Sequence, residues 1–117
     1  MRRKEVKKMT SNLTTHATRD RLARLNYIID TVGVGKVMCE GIFDDPRPNY
    51  PQTTRQLTST GVIIIKNSKN QVVTAFIATM SQAIQVWEKA HGRNAKMMAV
   101  LVKQVKKNEY YRANQPC

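Results

Sequence analysis

Residues 60–79, with the sequence TGVIIIKNSKNQVVTAFIAT, constrain the fold of this chain more than any other stretch, because they predict a β-hairpin. Residues 62–65 are all β-branched and too few to span a membrane, which is typical of a buried strand. Residues 66–70 supply turn chemistry, with two asparagines that tolerate left-handed backbone conformations. Residues 72–78 then form the second strand, so the hairpin is expected to anchor a small core.

The second strand of this hairpin predicts two faces, since the side chains of a strand alternate with period two. We expect one face to carry Val73, Ala75 and Ile77, and the other to carry Val72, Thr74, Phe76 and Ala78. Thr74 is then the polar member of an otherwise apolar face. It is either a strand-forming residue without a further role or a hydroxyl group placed for function.

Length and charge limit the domain organisation and the class of partner. The chain has 117 residues and a formal net charge of +12, from 20 Lys plus Arg against 8 Asp plus Glu. We expect a basic N-terminal arm over residues 1–10, either a solvated tail or a phosphate-contacting segment, and one domain over residues 11–117. The positive charge favours nucleic acid as partner, ahead of an anionic membrane and an acidic protein.

The cysteines and the N-terminus indicate a reduced, cytoplasmic protein. Cys39 and Cys117 lack metal-type spacing,. No apolar signal-peptide stretch follows the basic start, and no run is long enough for a transmembrane helix. The adjacent carboxylates Asp44 and Asp45 have no further carboxylate or histidine cluster nearby in the sequence. We therefore expect no metal, no cofactor and no membrane partner.

The segment of about residues 15–32 predicts an amphipathic helix that ends at the Gly33-Val34-Gly35 break. Its apolar positions recur at helical spacing: Leu22, Leu25, Ile28, Ile29 and Val32. The opposite side carries His16, Asp20 and Arg24, with Arg19 and Tyr27 nearby. Arg21 projects into the apolar arc instead. It either extends to the edge of that arc or is drawn inward by a partner.

The remaining segments predict another strand and two further helices. Residues 36–43 form either a short strand or a helical turn, and residues 44–51 form a proline-rich loop. Residues 53–59 predict an edge strand that pairs with residues 62–65 through a turn at Thr60-Gly61. Its shared face would carry Arg55, Leu57 and Ser59.

Beyond the hairpin, Ser81 is the expected N-cap of a helix that runs to His91 and ends at Gly92. Trp87 is expected in the core. A final helix of about residues 95–110 would carry lysines on the side opposite to its apolar side. Residues 111–117 would form a loose polar tail. The lysine stripe of this helix consists of Lys96, Lys103 and Lys107, which either follow a phosphate backbone or form a solvated face.

The chemistry open to this chain is narrow. It has no glycine-rich phosphate loop, no nucleophile elbow and no paired-cysteine zinc pattern,. A helix led by a histidine, several arginines and a strand threonine remain. Such a set is able to cleave RNA without a metal, because the 2′-hydroxyl of RNA is the nucleophile and the protein need only move protons and stabilise charge. Histidine suits the first task, and arginine suits phosphate.

Residues 16–24, HATRDRLAR, resemble the arginine-rich amphipathic helix that opens many small toxin-like and phage-encoded ribonucleases of the barnase–EndoU–colicin–RelE group. Residues 61–77 resemble the hairpin of that fold, and the resemblance spans residues 14–79. Residues 79–92 look like phage or mobile-element proteins. The resemblance implies an antiparallel sheet packed against N-terminal helices. It also implies site residues, which are His16, Arg21 or Arg19, Thr74 and, less directly, Arg55.

The sequence thus predicts an α+β fold with an N-terminal amphipathic helix, a small antiparallel sheet with a central hairpin, and two C-terminal helices. The expected function is a metal-independent endoribonuclease. His16 would serve as general base or acid, Arg21 and Arg55 would bind the phosphate, and Thr74 would bond a non-bridging oxygen.

Two alternatives stay open. One is a non-catalytic nucleic-acid-binding protein that uses the same basic surface, to which Arg19, Arg24 and the lysine stripe belong. The other is a small phage protein that binds an acidic host protein. A toxin-type ribonuclease would also have an acidic antitoxin as a possible partner.

Overall fold

The computed structural model describes residues 19–44 and 52–116, and within these ranges the chain is an α+β protein, as the sequence predicts. The elements in chain order are α1 (Arg19–Thr31), β1 (Val37–Asp44), β2 (Gln52–Thr58), β3 (Val62–Lys66), β4 (Val72–Ile77), α2 (Met80–His91), α3 (Ala99–Lys107) and α4 (Glu109–Ala113). The N-terminal arm, residues 15–18 of the first predicted helix and most of the proline-rich loop lie outside the described residues.

The four strands form one antiparallel sheet in the order β1-β2-β3-β4, so each strand pairs with its neighbour in the chain. The predicted hairpin is confirmed as β3 and β4, and Asn70 in its turn has the left-handed φ of 63° that its position predicts. Residues 36–43, which the sequence left undecided, contribute strand β1.

An irregularity in the hairpin overturns part of the predicted face pattern. Ile65 pairs with Thr74, but the next residue, Lys66, pairs with Val72, so Val73 is an extra residue in β4. Such a bulge shifts the alternation of side chains by one position. Val72 therefore packs with Ala75 and not with Thr74. The predicted face of Val72 was wrong because periodicity does not reveal a bulge.

The sheet lies between helices on both faces. On one face, α1 contributes Leu25 and Ile28, which pack against strand residues Val62, Ile64, Val72, Ala75 and Ile77. On the other face, α2 and α3 contribute Ala83, Val86, Trp87, Leu101 and Val105, which pack against Cys39, Leu57 and Ile63. Trp87 is 9% exposed, so its predicted place in the core is confirmed.

Five details of the predicted elements were wrong. Residues 53–59 were expected to form an edge strand, but β2 lies inside the sheet because β1 pairs with its other side. The N-cap of α2 is Thr79 and not Ser81. Thr79 and Gln82 form a capping box, so the helix begins two residues earlier than predicted,. Ser59 lies in the turn after β2 and does not share the strand face of Arg55. The predicted last helix begins at Ala99, and Asn108 divides it from α4. Residues 111–113 are helical where a loose tail was expected.

The described part of the chain includes no helix with the length and apolar character needed to cross a membrane.

Candidate functional site

Arg24 joins three parts of the fold at the outer edge of β4. It projects from α1, and its Nη1 donates a hydrogen bond to Oγ1 of Thr74 at 3.3 Å. Its Nε donates to the carbonyl oxygen of Pro116 at 2.9 Å. Because the Thr74 oxygen accepts from Arg24, the Thr74 hydroxyl proton is free to donate to another group. The strand hydroxyl that the sequence singled out is thus in contact with a guanidinium group.

Side chains form hydrogen bonds with backbone groups of β4 along the same edge. Arg21 is half-buried, and its Nη1 donates to the carbonyl oxygen of Val73 at 3.2 Å. The side chain of Gln115 accepts a hydrogen bond from the backbone nitrogen of Ile77 at 3.0 Å. Unpaired strand edges attract further strands, and side chains that bond them prevent this. Arg21 thus bonds a backbone group at the edge of the sheet while its side chain stays half-buried.

A cleft of about 410 Å³ opens beside this edge. Arg24 and Arg112 contribute its cationic groups, and Phe76 and Ile77 are among its apolar lining residues. The remaining polar lining side chains are those of Thr79, Gln82 and Gln115. None of the described lining residues is acidic. The volume lies in the range of about 300–1,000 Å³ that is usual for ligand sites.

The N-terminus of α2 also faces this cleft, since its N-cap Thr79 and its third residue Gln82 both line it. Thr79 Oγ1 accepts from the Gln82 backbone nitrogen at 3.1 Å, and Gln82 Oε1 accepts from the Thr79 backbone nitrogen at 2.9 Å. The first turn of α2 has no acidic residue. The helix dipole therefore adds partial positive charge to that of the two arginines.

Arg55 does not contact Thr74, although the sequence predicted that the two residues share a site. Both residues lie on one face of the sheet, in a row in which Arg55 pairs with Ile65 and Ile65 with Thr74. Two strand spacings separate their backbones, which is roughly 10 Å. The Arg55 guanidinium lies over the Phe43 ring instead, at 4.8 Å from the ring centre, and Lys89 Nζ lies 5.5 Å from the same centre. Within the described residues, the buried Nε of Arg55 has no hydrogen-bond partner.

Of the two histidines in the sequence, His91 is the one that the structure describes. His16 lies outside the described residues. His91 is at the last position of the 12-residue helix α2, at the end opposite to Thr79. Its ring contacts Trp87 with a centroid distance of 4.3 Å. No imidazole in the described part of the chain therefore lies at the cleft.

The other predicted contact residues are spread over the molecule. Arg19 is the first residue of α1. Lys103 and Lys107 are exposed on α3 and one turn apart, whereas Lys96 precedes that helix. The predicted stripe of three lysines on one helix therefore does not form. For metals, residues 19–44 and 52–116 contain no group of three or more histidine, cysteine or carboxylate side chains placed to hold an ion.

The C-terminal contribution to the cleft was missed by the sequence analysis. Arg112, Gln115 and Pro116 belong to the segment that was expected to be a loose tail. Two tyrosines next to Arg112 were the available signal, because aromatic side chains seldom occur in solvated tails.

Comparison with known proteins identified no relative: no protein-family model, no curated protein and no solved structure matches the chain.

Proposed function

We propose that this protein binds nucleic acid and holds a backbone phosphate in the cleft between Arg24 and Arg112. The observation that carries the proposal is the convergence of two guanidinium groups and the N-terminus of α2 on one cleft without an acidic lining residue. Guanidinium groups bind phosphate with paired hydrogen bonds, and the dipole of a helix N-terminus favours a nearby anion.

The charge of the whole chain favours a polymer over a small anion. A net charge of +12 attracts polyanions over a long range and raises their rate of association,. Exposed lysines on α3, namely Lys103, Lys106 and Lys107, provide further positions for phosphate contacts outside the cleft. A phosphate bound in the cleft would fix the position of the nucleic acid on the protein. The lysines would add affinity without sequence preference.

Metal-independent cleavage of RNA is a second candidate, and the contact between Arg24 and Thr74 favours it. In this proposal Arg24 neutralises the charge that develops on the phosphorane, and the Thr74 hydroxyl donates to a non-bridging oxygen. His16 would take the proton of the 2′-hydroxyl or protonate the leaving 5′-oxygen. Arg21 and Arg55 have no part in this version, since the first bonds the backbone of β4 and the second lies over Phe43.

The binding proposal is tested by fluorescence anisotropy with a labelled single-stranded RNA over a series of salt concentrations. Arg112→Gln is the informative variant, because Arg112 lines the cleft, whereas Arg24 also holds Pro116. We expect the slope of log affinity against log salt to become shallower by about 0.7, the contribution of one phosphate contact to a single strand. Loss of a charged hydrogen bond should weaken binding by roughly 10- to 100-fold.

Arg93→Gln is the matched control, since Arg93 is an exposed arginine that does not line this cleft. Equal effects of the two substitutions would show that only overall charge matters and would contradict a defined phosphate site. Failure of the unaltered protein to bind any nucleic acid would refute the proposal and favour an acidic protein partner.

The catalytic candidate is tested by incubating the protein with RNA in the presence of EDTA. His16→Ala should abolish cleavage, and His91→Ala, which alters the other histidine far from the cleft, should not. Circular dichroism of both variants checks that each is folded. Cleavage that survives His16→Ala, or that EDTA abolishes, would exclude the proposed mechanism while leaving the binding proposal intact.

A further inference from the structure

A row of paired residues crosses all four strands of the sheet on the face that packs against α2 and α3. Gly41 of β1 pairs with Arg55 of β2. Arg55 pairs with Ile65 of β3, and Ile65 pairs with Thr74 of β4. We call these four residues the cross-strand row. Arg55, Ile65 and Thr74 are half-buried, so the helices leave part of the row accessible.

Both ends of the cross-strand row carry positive charge. At the β4 end, Arg24 bonds Thr74 and lines the cleft. At the β1 end, the side chain of Lys89 from α2 lies directly over Gly41. A Cβ atom at position 41 would be only 2.6 Å from Lys89 Cγ, so the absence of a side chain at Gly41 gives the lysine its place above the strand,.

Arg55 and Lys89 share one aromatic ring. Arg55 Cζ lies 4.8 Å and Lys89 Nζ 5.5 Å from the centre of the Phe43 ring. The ring attracts each cation, but the two cations repel each other. Glu40 and Asp44 do not offset this repulsion, since they alternate with Phe43 along β1 and project from the opposite face,. Even with Glu88, which lines a cavity beside Phe43 and Lys89, the group has a net positive charge.

Arg55 also has a hydrogen-bond donor that is not used. Its Nε is buried and has no partner among the residues that the structure describes. A buried donor without an acceptor costs free energy, and a bound ion is one explanation for such a group in a native structure. The guanidinium group matches two oxygens of a phosphate with paired donors. A phosphate beside Phe43 would thus supply the missing acceptor and reduce the repulsion between Arg55 and Lys89.

We propose that the nucleic acid lies along the cross-strand row, with one phosphate at Arg24 and another between Arg55 and Lys89. This inference rests on the proposed function, because it concerns a second phosphate of the same strand. Neighbouring β-strands are about 4.8 Å apart, so the row is roughly 14 Å long. A stacked nucleic-acid strand advances about 3.4 Å per nucleotide, so roughly four nucleotides span the row. The ligand is therefore an extended strand and not a single nucleotide.

The first experiment measures how Arg55→Gln and Lys89→Gln bind a single-stranded RNA of about eight nucleotides, which is long enough to span the row. Arg55→Gln should weaken binding by roughly 10- to 100-fold, and Lys89→Gln less, because an ammonium group has no paired donors. Each change should make the slope of log affinity against log salt shallower by about 0.7. Lys69→Gln is the matched control, since Lys69 is an exposed lysine in the turn between β3 and β4, and its effect should be small.

Acetylation of lysine side chains supplies a second readout in the unaltered protein, so it does not depend on the folding of a variant. Lys89 and Lys69 are both exposed and therefore open to the reagent in the free protein. Mass spectrometry compares their extents of acetylation with and without saturating RNA. Bound RNA should protect Lys89 and leave Lys69 reactive.

Two results would overturn the inference. If Arg55→Gln and Lys89→Gln bind as well as Lys69→Gln while Arg112→Gln binds weakly, the second phosphate site is excluded and the first remains. If bound RNA leaves Lys89 as reactive as Lys69, the path along the row is excluded. A protein that binds no nucleic acid would refute the proposed function and this inference together.

Discussion

Arg24 on α1 and Thr74 on β4 are joined by a hydrogen bond of 3.3 Å, although 50 positions separate them in the chain. The contact exists because α1 packs over β3 and β4 and Arg24 reaches the outer edge of β4. Thr74 was predicted to share a site with the guanidinium groups of Arg21 and Arg55, and not with that of Arg24. Arg21 instead bonds the carbonyl oxygen of Val73 on the same strand.

Replacement of Thr74 by valine should weaken binding of single-stranded RNA about tenfold, because the change removes the group that orients Arg24 and a donor to the phosphate. Valine is similar in shape and favours strands, so the free energy of unfolding should change little. Fluorescence anisotropy measures the first effect and urea unfolding the second. Thr54→Val on β2 is the control, and equal affinities of the two variants would show that the Thr74 hydroxyl makes no contribution.

Asn108 connects the junction of α3 and α4 to the turn before β3. Its Nδ2 donates to the carbonyl oxygen of Thr60 at 2.6 Å, and its Oδ1 accepts from Gln104 Nε2 at 3.0 Å. The side chain is only 1% exposed. Asn108→Ala should lower the free energy of unfolding by about 1–3 kcal/mol, because its partners lose their bonds in a place that water hardly reaches.

Urea unfolding followed by Trp87 fluorescence measures that loss. Asn114→Ala is the control, since Asn114 also donates a side-chain hydrogen bond but is exposed. It should cost less than about 0.5 kcal/mol. Similar losses in the two variants would contradict the role assigned to Asn108.

Two substitutions at the N-terminus of α2 distinguish the predicted N-cap, Ser81, from the observed N-cap, Thr79. Thr79→Ala should lower the free energy of unfolding by about 0.5–2 kcal/mol, because it removes the capping bond to the Gln82 backbone,. Ser81→Ala should be nearly neutral, since Ser81 is an exposed residue inside the helix. Thermal or urea unfolding of both variants decides the matter. A larger loss for Ser81→Ala would restore the sequence-based assignment.

The buried thiol of Cys39 should make the free energy of unfolding decrease at alkaline pH. Burial raises the pKa of the Cys39 thiol above its usual value of 9.0. The folded state thus holds this proton more tightly than the unfolded state. The stability that results is fully present below about pH 9 and is lost as the pH rises through the folded-state pKa.

Urea unfolding between about pH 8 and about pH 10 measures this loss. The background is Cys117→Ser, so that Cys39 is the only cysteine. Cys39→Ala in this background should reduce the alkaline decline, and an unchanged decline would assign it to other groups. The measurements stop at about pH 10 because the pKa of Tyr27 is also raised above its usual value of 10.0. Ionisation of Tyr27 at higher pH would destabilise the fold as well.

Much of the architecture is predictable because it depends on neighbours in the chain. The β-branched run and the asparagine-containing turn predict β3 and β4, and the apolar spacing of residues 22–32 predicts the buried face of α1. Gly33 ends that helix with a φ of 76°, which glycine adopts without strain,. Trp87 is buried as its size predicts.

The errors in the predicted pattern have different causes. The bulge at Val73 changes the face of Val72, and no periodic pattern indicates an extra residue. Thr79 is the N-cap instead of Ser81 because Gln82 returns a bond to it, and the sequence Thr79-Met80-Ser81-Gln82 has the residue spacing of such a capping box,. The lysine stripe failed because Lys96 lies before the start of α3.

By itself the sequence determined the fold class, the hairpin at its centre and the surplus of positive charge, since these follow from composition and from interactions between residues close in the chain. Only the tertiary structure decided which arginine meets Thr74, why Arg55 lies over Phe43, and that Arg112 and Pro116 return to the edge of β4. These contacts join residues far apart in sequence. Their formation depends on how the helices pack over the sheet, which no local pattern specifies.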